Sequence, residues 1–175
     1  KRFAGMFAFG LWDRQERSLY LVRDRLGEKP LYYGRMGNTF LFGSELKALL
    51  AHPDFRAEID RNVLALFLRH NYIPAPYSIY KGISKLLPGS ILKVPAGSMT
   101  ENLSLGIEPY WSVREAAENG AAHPFKGAEA EAINLLDGLL RKTIKQQMVA
   151  DVPLGAFLSG GVDSSTIVAL MQSQS

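Results

Sequence analysis

Four short apolar stretches crowd the first 44 residues, and the spacers between them leave room for little except antiparallel neighbours. They read "GMFAFGLWD" (5–13), "SLYLVRD" (18–24), "LYYGR" (31–35) and "TFLFGS" (39–44), all rich in aromatic and branched side chains. "RQER", "RLGEKP" and "MGN" separate them, and Gly27 and Pro30 mark the middle spacer as a turn. A parallel pair needs a crossover of about a dozen residues, which none of these spacers supplies. The first stretch is almost unbroken in apolar character, which predicts a strand covered on both faces.

From Ser44 the period changes. "SELKALLAH" has helical spacing, with Leu46, Leu49 and Leu50 on one side and Ser44 as the predicted N-cap. Asp60 is placed to cap a second helix, "RNVLALFLRH", with Val63, Leu64, Phe67 and Leu68 expected to face a core. Pro74 and Pro76 forbid a regular helix in the next segment. Pro88-Gly89 predicts a type II turn ahead of the short strand "SILKV". Residues 95–125 lose periodicity and gain Gly, Ser, Pro, Asn and Glu, so they read as a linker, docked in part by Tyr110 and Trp111. Beyond Gly127, Ile133, Leu136, Leu140 and Ile144 follow 3-4-4 spacing, widened by Leu135, Leu139 and Thr143. Arg141, Lys142 and Lys145 near the end of that helix complement its dipole. The chain thus divides into a strand-rich piece (1–94), a linker (95–125) and a second piece (126–175).

Near the C-terminus "LGAFLSGG" reads as a short apolar strand and "DSSTIVALMQ" as a helix, which makes a strand–loop–helix corner. A helix N-terminus presents unpaired N–H groups and the positive end of the dipole, so it attracts anions. Gly160 and Gly161 let the backbone pass close to a ligand, and Ser159, Ser164 and Ser165 offer hydroxyl donors. Asp163 would repel a bare phosphate. It fits if Mg²⁺ lies between them, since that ion binds carboxylate and phosphate oxygens together. The competing explanation is a plain capped turn, because Ser and Asp are good N-caps. The string is neither a Walker A loop, lacking its Lys and spacing, nor a G-x-G-x-x-G dinucleotide turn.

Composition removes several classes of function. With no cysteine, the chain holds neither a disulfide framework nor a thiolate zinc site, and it fits a cytoplasmic protein. His52, His70 and His123 are far apart and lack metal-ligand spacing. Twenty Lys and Arg are scattered among 17 Asp and Glu, a mixed solvated surface and not a nucleic-acid footprint. The apolar runs are strand-sized, so no segment spans a bilayer.

"SGGVDSS" resembles the S-G-G-x-D-S pyrophosphate loop of the N-type ATP pyrophosphatases. The longer "DVPLGAFLSGGVDSS" is similar to the corresponding corner of the glutamine-hydrolysing asparagine synthetase family, D-V-P-x-G-x-x-L-S-G-G-x-D-S-S. Independently, "GMFAFGLWD", "RDRLGEKPLYY", "FGSELKALL" and "YIPAPYSIYKGISKLLPG" resemble, in order, the second half of the class II (N-terminal nucleophile) glutaminase domain of that family. The resemblance covers nearly the whole chain. It implies the C-terminal part of an α+β glutaminase layer followed by the start of an α/β doubly wound ATP-pyrophosphatase domain.

The activity it implies is ATP-dependent amidation of aspartate through β-aspartyl-AMP, with ammonia from glutamine and release of AMP and pyrophosphate. Carried over by residue, the Leu158 backbone contacts the adenine nucleotide, Ser159, Gly160, Gly161, Ser164 and Ser165 cradle phosphates, and Asp163 holds Mg²⁺. Arg23, Asp24, Gly27, Lys29, Pro30 and Glu45 read as scaffold. The implied partners are small molecules (aspartate, glutamine and ATP), with a homodimer of the longer parent and neither nucleic acid nor membrane. The family's nucleophilic cysteine, its N-G-E and G-S-D strings and its later acidic motif are not in this chain, so the resemblance implies an internal piece that catalyses neither half-reaction alone. Two alternatives stay open: an enzyme of the same architecture acting on another carboxylate, such as a sugar uronic acid, and a non-catalytic nucleotide-binding remnant.

Overall fold

A hairpin begins the first sheet. β1 (Ala8–Asp13) and β2 (Ser18–Arg23) pair antiparallel from Ala8↔Arg23 to Asp13↔Ser18. Asp13 closes the turn, its Oδ1 accepting the N–H groups of Gln15 at 2.8 Å and Glu16 at 2.9 Å. In the computed structural model, which describes residues 3–97 and 106–175, two compact units are present. One is Met6–Ala117, and the other joins Lys1–Gly5 to Glu118–Ser175.

Two antiparallel sheets build the larger unit. β6 (Ser90–Pro95) lies on the free side of β2, and β7 (Ile107–Pro109) lies on β6, giving the order β1-β2-β6-β7. The second sheet places β3 (Tyr32–Met36) between β4 (Thr39–Gly43) and β5 (Ile83–Lys85). The buried cluster of Leu21, Leu31, Tyr33, Leu86 and Leu92 draws on both sheets, with Ala8, Phe40, Val94 and Ile107 packed around it. Leu21, Leu86 and Leu92 are fully buried, and each such side chain contributes about 1.5–3 kcal/mol. A second cluster of Met36, Leu49 and Ile83, with Leu46, Phe55 and Tyr80, seats the short helix α1 (Leu46–Leu50).

Several local expectations hold here. α2 (Arg61–His70) is capped by Asp60, whose Oδ1 accepts from Asn62 at 2.9 Å and Val63 at 3.4 Å. Gly89 takes a positive φ of 62° immediately before β6, as the Pro88-Gly89 turn requires.

Others are corrected. Among the described residues β1 is an edge strand with β2 as its one neighbour in the sheet, and Leu11 and Trp12 are half exposed instead of covered. An apolar run specifies what a strand can bury, while its place in the sheet decides what it does bury. The spacer at 25–30 joins strands of different sheets, not antiparallel neighbours. Glu45, not Ser44, occupies the N-cap of α1, without a side-chain cap bond. On α2 only Val63 is buried, and Leu64, Phe67 and Leu68 are exposed. The helix entrance is tied down by the Ile59↔Tyr80 bridge and by Asp60 N–H donating to Ile79 O at 2.9 Å, so Val63 in the first turn is covered, while Phe67, one turn on along the same face, is not. The segment read as a linker, 95–125, carries β7 and a helix, α3 (Val113–Ala122). β7 exists because β6 offers it a ladder, a non-local partner that has no signature in its three residues. Part of that segment, 98–105, lies outside the described residues.

In the second unit, α4 (Glu129–Gln147) and α5 (Val162–Gln172) pack together, with Ile144 and Leu170 buried. Burial follows the predicted stripe only toward the C-terminal half of α4; Ile133, Leu135, Leu136 and Leu139 are exposed. Arg141 uses its charge on Asp137, one turn back at 2.7 Å, and reaches Ser173 Oγ at 3.0 Å. The strand expected over "LGAFLSGG" has no ladder among the described residues, so the corner consists of a loop and a helix. A strand is defined by its neighbour, and local composition cannot supply one. No helix among the described residues is long and apolar enough to cross a membrane.

Candidate functional site

The corner at 158–165 is built around one residue that must be glycine. Gly160 has φ +80° and open space where a Cβ would stand, so the left-handed turn of the backbone, not crowding, demands it. That turn lets the chain reverse into α5, whose N-cap is Gly161 with no side-chain cap bond. The first helical hydrogen bond runs from Ser165 N–H to Gly161 O at 3.1 Å. Helix geometry therefore leaves the N–H groups of Val162, Asp163 and Ser164 without an intrahelical acceptor.

Two hydroxyls close the loop. Ser159 Oγ and Ser164 Oγ are 2.9 Å apart, and Ser164 Oγ donates to Gly161 O at 3.1 Å. Leu158, Ser159, Gly160, Gly161, Asp163 and Ser165 are exposed and Ser164 is half-buried. The seven residues singled out from the sequence therefore stand around one open corner. Asp163 occupies the second helical position and is not the cap, which removes the plain capped turn as the account of its carboxylate. Open N–H groups, the dipole and clustered hydroxyls suit an anion.

No group of three or more His, Cys, Asp or Glu among the described residues could hold a metal by protein ligands alone. One carboxylate beside an anion cradle does fit Mg²⁺, which commonly takes one or two carboxylates and completes its shell from phosphate oxygens and water.

The larger unit has its own charged centre. Asp24 is fully buried and Arg23 nearly so. Asp24 Oδ1 accepts from Glu28 N–H at 2.9 Å, and Oδ2 accepts from Lys29 N–H at 2.9 Å and Phe7 N–H at 3.3 Å. Burial pushes the Asp24 carboxyl up, but the N–H groups of Lys29, Glu28, Phe7 and Gly27 outweigh it and hold it below the usual carboxylate range. Arg23 spends its guanidinium on three carbonyls: Nε on Lys29 at 2.9 Å, and the two terminal nitrogens on Leu86 and Gly27, each at 2.6 Å. Burial lowers its pKa, with the Asp24 charge opposing. All these partners are backbone groups, so Arg23, Asp24, Gly27 and Lys29 form a structural knot, as the sequence reading expected.

The docking expected of Tyr110 and Trp111 is borne out, both N–H groups donating to Gly89 O, and the contact that reading did not foresee is the one to the knot. Tyr110 OH donates to Arg23 O at 2.7 Å, across 87 positions. The one available signal was the aromatic pair "YW" inside a polar stretch.

A model of the glutamine amidotransferase domain family matches residues 1–111, and one of the asparagine synthase family matches residues 135–175. The chain is 36% identical to asparagine synthetase [glutamine-hydrolyzing] 3 of Bacillus subtilis, over 95% of this chain and 25% of that protein. It is 35% identical to a putative asparagine synthetase [glutamine-hydrolyzing] 2 of Methanocaldococcus jannaschii, over 98% of this chain and 32% of that protein. It is also 29% identical to the amidase chyE of Penicillium rubens, over 95% of this chain and 23% of that protein. The chain thus spans about a quarter to a third of the length of these curated relatives.

Proposed function

The chain belongs to the glutamine amidotransferase domain family, and from that premise we propose that its residues serve a glutamine-hydrolysing asparagine synthetase. The reaction is ATP-dependent amidation of aspartate: glutamine yields ammonia, aspartate is activated as β-aspartyl-AMP, and asparagine, AMP and pyrophosphate leave. The observation that carries this reading is the succession of the two family matches in one chain, 1–111 and then 135–175.

Physical chemistry gives the corner at 158–165 its task. Attack of the aspartate carboxylate on the α-phosphorus of ATP breaks the bond to the β-phosphate, and negative charge develops on the departing pyrophosphate. The open N–H groups at the start of α5 and the hydroxyls of Ser159, Ser164 and Ser165 would receive that charge, each preorganised donor being worth up to about 3–4 kcal/mol in a water-poor site. Gly160 and Gly161 would let the phosphates approach the backbone, and the main chain of Leu158 would border the adenine nucleotide. Asp163 would hold Mg²⁺, which would supply charge neutralisation of the phosphate oxygens. We propose the amidotransferase part at 1–94 and the synthetase part from 126, with 95–125, which carries β7 and α3, between them. A homodimer of the longer parent and a cytoplasmic location complete the proposal.

The test uses a protein of the relatives' length that contains these 175 residues. With glutamine, aspartate and MgATP it is expected to form asparagine, AMP and pyrophosphate in equal amounts. Pyrophosphate release that requires a different carboxylate, with aspartate inert, would move the assignment to another acceptor.

A further inference from the structure

The larger unit holds a cleft of about 480 Å³, none of whose residues the proposed reaction uses. Its size falls within the range of about 300–1,000 Å³ typical of small-molecule sites. The floor is buried: Tyr33 from β3, Val63 from α2, Ser78, and Ile83 from β5. Tyr77, Tyr80 and Leu87 add wall. Two opposite charges stand in the lining because of how the backbone pairs there. The Ile59↔Tyr80 bridge is flanked by Asp60 N–H donating to Ile79 O and by Lys81 N–H donating to Glu58 O, each at 2.9 Å. Extended chain alternates its faces, so Asp60 and Lys81, each one position from the bridge, lie on one face of this pair, and both line the cleft.

Three groups in this lining have bonding capacity to spare. Asp60 Oδ1 accepts both cap bonds, from Asn62 and Val63, and Oδ2 has no donor among the described residues. Ser78 is 3% exposed, and its Oγ accepts Tyr80 N–H at 3.4 Å, while its own proton meets no acceptor among the described residues. A contact of 3.4 Å is long, so this buried hydroxyl is open to a ligand. Lys81 gives one of its three ammonium protons to Glu58, which lies outside the lining. We infer that the cleft binds a free α-amino acid with an uncharged side chain: its ammonium on Asp60, its carboxylate on Lys81 and the Ser78 hydroxyl, and its side chain against Val63, Ile83 and Leu87. A zwitterion answers both charges at once. A simple anion would meet Asp60 and a simple cation would meet Lys81, so each would lose on one side what it gained on the other. The inference does not rest on the ATP-dependent reaction, since every group belongs to one compact unit, Met6–Ala117, and none to the corner at 158–165.

The test is equilibrium dialysis of the 175-residue chain against radiolabelled L-leucine and, separately, L-asparagine, a readout that does not depend on whether the chain self-associates. Saturable uptake of at least one of them is expected at millimolar concentration. 4-Methylpentanoate, which is leucine without its ammonium, is expected not to compete. Asp60→Asn keeps a capping side chain and removes the charge; it should weaken affinity about tenfold, the effect of losing one hydrogen bond to a charged group. Ser78→Ala should weaken it about threefold to tenfold, the effect of one neutral bond, and Asp137→Asn, in the other unit, should leave it unchanged. No saturable uptake of either amino acid overturns the inference. So does equal affinity in wild type and Asp60→Asn, or full competition by 4-methylpentanoate, which would mark a merely apolar groove. Should Asp60→Asn fail to melt cooperatively, Ser78→Ala and the competition decide, and unchanged affinity in Ser78→Ala then overturns the inference.

Discussion

The carboxylate of Asp24 accepts the main-chain N–H of Lys29 at 2.9 Å, five residues downstream, and this contact closes the turn that sends the chain from one sheet to the other. Asp24 also holds Glu28 and Phe7. Replacing it with Asn keeps the shape but exchanges two acceptor oxygens for one acceptor and one donor facing N–H groups. The expected loss is about 2–4 kcal/mol, since hydrogen bonds to a charged acceptor are worth more than neutral ones and a buried donor is left without an acceptor. Urea unfolding of the larger unit measures it.

The same residue sets an acid limb. Its folded pKa lies below the ordinary carboxylate value, so its stabilisation is complete above about pH 4 and is lost as the pH falls through the depressed folded value. Stability of the wild-type unit should fall with acidification in that window, and Asp24→Asn should flatten the fall. A parallel acid limb in the mutant would assign it to other carboxylates.

Gly89 and Gly37 share a positive φ, 62° and 59°, but differ in surroundings. A Cβ at Gly89 would meet Trp111 O at 2.5 Å, while one at Gly37 meets nothing within 4 Å. Gly37→Ala should cost roughly 1–2 kcal/mol, the left-handed penalty alone. Gly89→Ala should cost clearly more and should shift the fluorescence of Trp111, read in a Trp12→Phe background. Equal costs would mean that the 110–111 segment yields without strain.

Asp163→Asn tests the corner in the longer enzyme. If Asp163 holds Mg²⁺ against the phosphates, asparagine formation should slow by an amount equivalent to about 2–4 kcal/mol, while glutamine hydrolysis persists. A residue acting only through the helix dipole would cost about 1 kcal/mol of stability or less and leave synthesis near normal at every Mg²⁺ concentration. The 175-residue chain itself, with no cysteine, should release no glutamate from glutamine above background.

Exposed apolar rows on α2 (Leu64, Phe67, Leu68) and α4 (Ile133, Leu135, Leu136, Leu139) predict self-association of this chain expressed alone. Leu68→Lys combined with Leu136→Lys should reduce light scattering without lowering the melting temperature, since both positions are already exposed. A monodisperse wild-type monomer would contradict the prediction.

Much of the local architecture was legible in the order of residues, for reasons that act over a few positions. Spacer length made β1–β2 and β3–β4 hairpins, Asp60 could cap only the helix it precedes, Pro88-Gly89 demanded a turn, and "LSGGVDSS" required a glycine-permitted bend into a helix start. Each is a matter of φ, of a missing N–H, or of a side chain reaching two or three residues along. Tertiary contact decided the remainder. Nothing within "GMFAFGLWD" says that it will be an edge strand, and nothing in "IEP" says that it will find β6. The period of α2 puts Val63 and Phe67 on one face but does not say how far along the helix that face stays covered, and only Val63, close to the bridge from Ile59 to Tyr80, is buried. Tyr110 met the carbonyl of Arg23 because the first sheet and the backbone contacts of two buried charged side chains brought together residues 87 positions apart. Local rules choose among backbone conformations, whereas burial is a property of surfaces that meet, and surfaces exist only once the chain has folded.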